Sequence, residues 1–312
     1  MIKKGGYDIP PDCVGWLSDK TVGTLPEWCP PTPIPPPTEG QMPVTGIYEA
    51  SEAAPYNTSN NETRVKDFTS RGFKLTINYS TPLYSHLNIP STIDYGSMVA
   101  KYGGKVIWNM REYKDHINDV AKFVNSIKNN PGTYGYYVAD EPPPPGRDPK
   151  IIALNQAIKA ADPKHPTVVV TGWWWARAGE CGSGATSNSY YDSIAGYADI
   201  IAIDYYPVGA RTDCETADMK NIISQGYKWT QKNGKQWGVV LQSFSPSDNY
   251  HSVGGWPSSQ QMTQWRNLVL ENSNPVFIIW YSYFDIVNKN RKFIDTLQSS
   301  AFSVPIPSMN HE

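Results

Sequence analysis

The sequence predicts a (β/α)8 TIM barrel that follows a short proline-rich leader. Three observations predict it: eight short apolar runs, helix-period stretches between them, and a spacing of roughly 30 residues from one run to the next. A doubly wound open sheet is the structural alternative, but it usually has fewer strands and a glycine-rich phosphate turn. No G-x-G-x-x-G sequence follows the first run. A closed barrel is therefore the expected fold.

The predicted strands are runs of apolar, β-branched or aromatic residues. They are VTGIYE (44–49), FKLTINY (73–79), KVIWNM (105–110), YGYYVAD (134–140), TVVVTGW (167–173), DIIAID (199–204), WGVVLQS (237–243) and PVFIIWY (275–281). Helix-period segments lie between them, and NKNRKFIDTLQSSA follows the last. Several of these segments begin at Ser, Asp, Thr or Asn and end at Asn-Gly, Asn-Pro or Asp-Pro, which are helix cap and stop signals.

Residues 1–40 are predicted to form a leader that is separate from a barrel domain at 41–312. Residues 30–38 contain six prolines, and each proline removes a backbone donor and fixes φ, so this stretch is expected to be a stiff linker. The segment before it is too short to bury a core of its own. We therefore expect a disulfide-closed loop there.

The four cysteines indicate an oxidising compartment. They are Cys13, Cys29, Cys181 and Cys214. An even number in loop-like sequence favours two disulfides over four free thiols, and disulfides persist outside the cytosol. The first ten residues contain two lysines but no apolar stretch behind them, so no secretory signal is visible. An extracellular or secreted protein is nevertheless expected, exported by a trimmed signal or another route.

The composition excludes several classes of partner. The 27 basic and 29 acidic side chains leave a net charge of −2, which provides no field to hold nucleic acid or an anionic membrane. No apolar run is long enough to span a bilayer. Five histidines without a Cys-x-x-Cys pair suggest neither a metal site nor a cofactor. The 11 Trp and 20 Tyr supply flat faces for stacking. We expect a monomer.

Polar and aromatic residues end the predicted strands. Function in this fold lies at the carboxyl ends of the strands, where the βα loops begin. The residues found there are Glu49, Asn78, Asp140, Glu141, Trp173, Trp174, Asp204, Tyr205, Gln242 and Trp280. Carboxylates together with aromatic rings indicate a carbohydrate site.

The segment YYVADEP (136–142) carries the strongest signal. Burying either of its adjacent carboxylates without a partner costs several kcal/mol, on the order of 2–7 for a polar group, so stability alone does not explain them. Strand alternation places Glu141 on one face with Ala139 and Tyr137, and that face is expected to line the cavity. In the alternative, Asp140 and Glu141 cap the following helix or pair with Arg147.

A second acidic tip ends the sixth strand, in DIIAIDYYP (199–207). Alternation places Asp204 on the face of Ala202, and this face is again expected to point inward, with Tyr205 and Tyr206 beside it. Glycosidases use two carboxyl groups, one to protonate the leaving oxygen and one to attack or to activate water. Glu141 and Asp204 are therefore the predicted pair, with a retaining or an inverting outcome left open.

Aromatic and amide side chains complete the predicted site. Three consecutive indoles cannot all face the core, so Trp173 or Trp174 is expected to stack on a pyranose ring. Glu49 and Gln242 are expected to hydrogen-bond the substrate. Asn78 is expected to be an amide on the ligand side.

From residue 44 to 302 the chain resembles the (β/α)8 glycoside hydrolases. ADEP (139–142) is similar to the Asn-Glu-Pro of the large clan whose acid/base glutamate ends the fourth strand. Trp280 looks like the aromatic floor of that clan's sugar subsite. The resemblance departs at the seventh strand, where the clan has a nucleophilic glutamate and this chain has Gln242. The clan's retaining mechanism therefore cannot be transferred.

Two mechanisms remain open. The acidic tips of the fourth and sixth strands are also similar to those of barrel hexosaminidases and chitinases, which implies a reaction in which Asp140 orients a substrate acetamido group that attacks internally. Alternatively, Asp204 or Glu49 supplies the second carboxylate.

We expect a secreted glycoside hydrolase that cleaves O-glycosidic bonds of an oligo- or polysaccharide. Glu141 is its general acid/base, Asp204 its second carboxylate and Asp140 an assisting charge. A noncatalytic sugar-binding barrel is the rival interpretation, favoured by Gln242.

Overall fold

The computed structural model describes the greater part of the chain, in several segments. They are residues 2–4, 7–9, 43–48, 58–78, 89–142, 148–172, 188–207, 215–244 and 257–283. The chain divides into two compact units, Met1–Pro35 and Pro36–Glu312. In the first unit, strands Ile2–Lys4 and Tyr7–Ile9 pair antiparallel. The boundary predicted at residue 40, all four cysteines and the helix predicted after the eighth strand lie outside the described residues.

Eight parallel strands close into a barrel in the second unit, which confirms the predicted fold. The strands are β1 (Val44–Tyr48), β2 (Leu75–Asn78), β3 (Lys105–Asn109), β4 (Thr133–Asp140), β5 (Thr167–Gly172), β6 (Ile200–Tyr205), β7 (Gln236–Gln242) and β8 (Phe277–Tyr281). Each strand pairs with the next in the chain, and β8 pairs with β1. Closure leaves no strand edge free, which removes the exposed backbone donors and acceptors of an open sheet.

A helix follows each of the first seven strands in the described part of the chain. The helices are α1 (Thr58–Ser70), α2 (Ile89–Lys101), α3 (Ile117–Ile127), α4 (Pro149–Ala161), α5 (Asn188–Ile194), α6 (Glu215–Lys232) and α7 (Ser259–Asn272). A 3-10 helix, Arg111–Asp115, lies between β3 and α3. Two of the helices begin at ordinary caps: Asp148 accepts from the backbone N–H of Lys150 at 2.9 Å before α4, and Ser258 forms a capping box with Gln261 before α7.

Strand alternation divides the apolar residues into two layers. The inner layer fills the barrel and includes Ile107, Val170 and Val240. The outer layer packs strand residues against the helices. Inside the barrel Gly238 permits a close approach, because a Cβ atom there would lie 2.5 Å from the ring of Phe277. The two layers decide which strand-end side chains reach the mouth of the barrel and which lie beneath the helices.

Candidate active site

The end of β4 is irregular, and this irregularity positions two carboxylates. Tyr137 pairs with Val168, but Ala139 pairs with the next residue of β5, so one extra residue is inserted in β4. Such a bulge resets the alternation. Val138 and Ala139 both belong to the outer layer, whereas Asp140 contacts the inner-layer Tyr137. The prediction that Ala139 faces the barrel interior was therefore wrong.

Glu141 follows the bulge in the left-handed region of backbone space. Its φ is +40°, which a residue with a Cβ atom adopts only where surrounding contacts fix it. The backbone N–H of Glu141 donates to the carbonyl oxygen of Val170 on β5 at 2.7 Å. Helix α4 is capped by Asp148, not by Asp140 or Glu141. The capping alternative is thus excluded, and Arg147 lies outside the described residues.

Asp204 is nearly inaccessible, with 3% of its surface exposed at the end of β6. It follows Ala202 on the inner face, as alternation predicts. Its Oδ1 atom is buried and accepts no hydrogen bond within the described part of the chain. An ionised group would leave that oxygen unsatisfied, at considerable cost. The surroundings therefore favour a neutral carboxyl group.

The Asp204 and Glu141 side chains lie within hydrogen-bonding reach of each other. Burial, followed by the hydrogen bond and charge of Glu141 and by the charge of Asp140, raises the pKa of Asp204 well above its ordinary value. A hydrogen bond from Tyr206 opposes this effect without cancelling it. Two adjacent carboxyl groups cannot both ionise cheaply, so the pair keeps a proton. The raised pKa favours Asp204 as the group that holds this proton.

The carboxyl group of Asp140 is held in place by two neighbours. Arg111 Nη1 donates to its Oδ2 at 3.0 Å, and the Tyr137 hydroxyl donates to its Oδ1. Arg111 is fixed in turn, because its Nε donates to Asn109 Oδ1 at 3.0 Å and its guanidinium lies 5.4 Å from the centre of the Tyr137 ring. Both oxygens of Asp140 are thus occupied. Sequence reasoning missed this role of Arg111, although its position just after β3 was a signal.

A group of tyrosines and one phenylalanine lines the mouth beside the carboxyl groups. Tyr206 follows β6, Phe244 follows β7 and Tyr281 ends β8, and their ring centres lie 5.1–5.8 Å apart. Tyr48 from β1 makes an edge contact with Tyr281 at 5.1 Å. Tyr206, Phe244 and Tyr281 are each partly exposed. We name these three rings the mouth cluster.

Two predicted aromatic contacts were wrong by one position each. Tyr205 and Trp280 lie in the outer layer, packed under the helices and 2% and 0% exposed. Side chains alternate between the two faces of a strand, and this explains both corrections. Ala202 on β6 and Ile279 on β8 face inward, so the inward aromatic residues are Tyr206 and Tyr281. The mouth cluster therefore takes the place that the sequence assigned to Tyr205 and Trp280.

Gln242 ends β7 level with Tyr281 and is fully buried. Its Nε2 donates to the carbonyl oxygen of Phe244 at 3.1 Å. An amide cannot attack a sugar or take a proton, so β7 supplies no nucleophile at this position. Its contact with a substrate stays a prediction.

The remaining predicted site residues are not described. Glu49, Trp173 and Trp174 lie outside the described residues, and of Asn78 only the backbone, at the end of β2, is described. Among the described residues, no helix combines the length and apolar character needed to cross a membrane. The same residues contain no group of three or more His, Cys, Asp or Glu side chains arranged to bind a metal ion.

Comparison with known proteins rests on structure alone. No protein-family model and no curated protein sequence matches the chain. A structure assigned as an α-L-fucosidase from Bacteroides thetaiotaomicron is 13% identical with a TM-score of 0.57, covering 84% of this chain and 96% of the other. A GH5_18 variant from Bifidobacterium longum in complex with Manb1-4GlcNAc is 10% identical with a TM-score of 0.52, covering 78% and 69%.

A family 39 glycoside hydrolase from Bacteroides cellulosilyticus is 11% identical with a TM-score of 0.54, covering 77% of this chain and 56% of the other. All three are glycoside hydrolase structures whose eight-stranded barrels match this one. Their sequence identities to this chain are too low to transfer an activity. The chain has the (β/α)8 barrel fold that these glycoside hydrolases share.

Proposed function

We propose that the protein is a glycoside hydrolase in which Glu141 protonates the leaving oxygen. The observation that carries the proposal is the Glu141–Asp204 pair, two adjacent carboxyl groups at the mouth of the barrel, of which the buried Asp204 has a raised pKa. Active sites of this fold lie at that mouth. A carboxyl group kept neutral by its surroundings is what acid catalysis of glycoside cleavage requires.

Glu141 and Asp204 differ in solvent exposure, and this difference assigns them different roles. Glu141 is partly exposed and Asp204 is buried, so Glu141 is the group that reaches the substrate. Asp204 donates its proton to Glu141 as Glu141 transfers one to the glycosidic oxygen. The bond between that oxygen and the anomeric carbon breaks, water supplies the new C–O bond, and a proton from this water returns to the pair. The sum is hydrolysis with no net change in the enzyme.

The short separation argues against Asp204 as a nucleophile. Carboxyl groups that flank a glycosidic bond lie about 5–5.5 Å apart in retaining enzymes and roughly 6.5–9.5 Å apart in inverting ones. Glu141 and Asp204 are within hydrogen-bonding reach of each other, which is closer than either range. The second carboxylate must come from elsewhere, and Glu49, which follows β1, is the sequence-based candidate.

The substrate-assisted alternative needs Asp140 to orient an acetamido group. Asp140 would have to leave Arg111 or Tyr137 to do so, because these two residues occupy both of its oxygens. We therefore rank this route second. Activity that depends on a 2-acetamido group in the substrate would reverse the ranking.

We propose an oligo- or polysaccharide as the substrate and the extracellular space as the site of action. The partly exposed mouth cluster supports the first proposal, because aromatic faces pack against the apolar faces of sugar rings. A GH5_18 protein of the same fold binds Manb1-4GlcNAc. The second proposal rests on the four cysteines alone.

The test is hydrolysis of a panel of 4-nitrophenyl glycosides and oligosaccharides, with Glu141→Gln as the variant. The variant should lower kcat by about 10²–10⁴-fold, the usual contribution of a general acid, while it still binds the glycan. Glu271→Gln, an exposed position on α7, is the matched control and should keep full activity. Binding without turnover on every glycan would favour the noncatalytic rival, and full activity of Glu141→Gln would refute the proposal.

A further inference from the structure

We propose that Tyr190 on α5 is a positioning residue that holds the backbone turn of Glu141, so that a helix of the outer layer sets where the acid lies. This inference rests on the proposed role of Glu141. Tyr190 itself does not reach the substrate: it is 3% exposed and packs in the outer layer.

The turn at Glu141 needs external support. Its φ of +40° is unfavourable for a residue with a side chain, and an extended conformation would aim the carboxyl group elsewhere. The following residue, Pro142, has no N–H, so the turn cannot stabilise itself with a donor from that position. The Glu141 N–H and the Pro142 carbonyl are two groups through which neighbouring elements can hold the conformation.

Both of these groups are held by neighbouring elements. The Glu141 N–H donates to Val170 O at 2.7 Å, and the Tyr190 hydroxyl donates to Pro142 O at 2.9 Å. The first hydrogen bond holds the backbone before the Glu141 Cα atom, and the second holds the backbone after it. The conformation of Glu141 is thus fixed from β5 on one side and from α5 on the other.

The Tyr190 hydroxyl is fixed by a second partner. It lies 2.5 Å from Thr171 Oγ1 at the end of β5. Because Tyr190 has a single proton and donates it to Pro142, Thr171 must be the donor of the second bond. Burial raises the pKa of Tyr190 above its ordinary value, so the hydroxyl keeps that proton. The result is a chain of bonds from Thr171 through Tyr190 to Pro142.

The neighbouring Tyr191 provides a matched control. It is buried in the same helix, and its hydroxyl has no hydrogen-bond partner among the described residues. Tyr190→Phe and Tyr191→Phe therefore remove the same hydroxyl oxygen from adjacent buried rings. Only the Tyr190 hydroxyl forms a hydrogen bond that holds Pro142. A general effect of loosening α5 would appear in both variants.

The experiment compares steady-state kinetics and thermal midpoints of these two variants on a glycoside that the wild-type protein hydrolyses. Tyr190→Phe should lower kcat on the order of 10- to 100-fold with KM changed less than about threefold, because small misplacement of a catalytic group costs this much. Tyr191→Phe should keep kcat. Thr171→Val should lower kcat in the same way, and Thr171→Ser, which keeps the hydroxyl, should restore it.

The results separate this inference from the function on which it rests. Equal kcat values for Tyr190→Phe and Tyr191→Phe would overturn the role of Tyr190 while Glu141→Gln remains inactive. Full activity of Glu141→Gln would instead refute the proposed function. If Tyr190→Phe does not fold, the Thr171→Val and Thr171→Ser pair decides, and equal kcat values for these two would overturn the inference.

Discussion

The Asp204 carboxyl group lies beside that of Glu141, within hydrogen-bonding reach, although the two residues end strands β4 and β6, which are not neighbours in the barrel. Asp204 is buried and kept neutral, whereas Glu141 is partly exposed. In the proposed mechanism Asp204 holds the proton and Glu141 delivers it to the substrate. Five predictions test this arrangement and the fold that supports it.

Asp204→Asn should change the pH dependence of stability. The pKa of Asp204 is raised by burial and by Glu141, so in the unfolded chain it ionises at a lower pH than in the folded one. Its contribution to stability is fully present below its unfolded pKa of about 3.9 and is lost as the pH rises through its folded pKa. Asparagine cannot ionise and avoids this loss.

The free energy of unfolding of Asp204→Asn, relative to wild type, should therefore increase from about pH 4.5 to pH 8 in urea titrations. The exposed Asp94→Asn is the control and should show no such trend. A constant difference between Asp204→Asn and wild type across this range would show that Asp204 is not held neutral.

Asp140→Asn should move the alkaline limb of the kcat/KM profile to lower pH. The negative charge of Asp140 contributes to the raised pKa of Asp204, so its removal lets the pair lose its proton earlier. Asp115→Asn is the control, because Asp115 is an exposed ion-pair partner of Lys150. An alkaline limb that stays in place or moves to higher pH would contradict the coupling.

Tyr281→Ala should weaken substrate binding. Loss of an aromatic contact costs about 0.5–1.5 kcal/mol beyond the buried area, which corresponds to roughly a 2- to 13-fold rise in KM or Kd. Trp280→Phe, one position earlier but in the outer layer, should lower the thermal midpoint and leave KM unchanged. Equal KM values for Tyr281→Ala and wild type, with a changed KM for Trp280→Phe, would restore the sequence-based assignment.

Gly238→Ala should destabilise the barrel by about 1–3 kcal/mol, the usual cost of overpacking a core. A Cβ atom at this position would lie 2.5 Å from the Phe277 ring and 3.1 Å from Ala202 Cβ. Gly196→Ala is the control, because its nearest contact would be Ile152 at 3.8 Å. Urea unfolding measures both variants, and equal stability of the two would show that the barrel interior can relax around the added methyl group.

The eight strands and the inward face of β6 could be predicted from the sequence. Alternation counted from Ala202 leads correctly to Asp204 and on to Tyr206, and the same count from Ile279 leads to Tyr281. The sequence interpretation chose Tyr205 for its place beside Asp204 and Trp280 for its resemblance to the clan's aromatic floor. Adjacent aromatic residues offer two registers, and only the position within the pleat distinguishes them. That signal was present in the sequence and was not used.

The arrangement at β4 could not be predicted in the same way. Strict alternation would turn Asp140 outward with Val138, but the inserted residue brings it to Tyr137, and the left-handed backbone then turns Glu141. A bulge depends on the register of neighbouring strands, and the anchors of Glu141 come from Val170 and Tyr190, which lie about 30 and 50 positions away. Local sequence contains none of this information.

Titration of the Asp204 carboxyl group by ¹³C NMR tests the central claim most directly. With labelled aspartate and glutamate and with Asp204→Asn for assignment, the Asp204 resonance should titrate well above the ordinary midpoint of about 3.9. The midpoint should fall in Glu141→Gln, because Glu141 helps to raise it. An Asp204 midpoint near the ordinary value, unchanged in Glu141→Gln, would contradict the shared proton and the mechanism built on it.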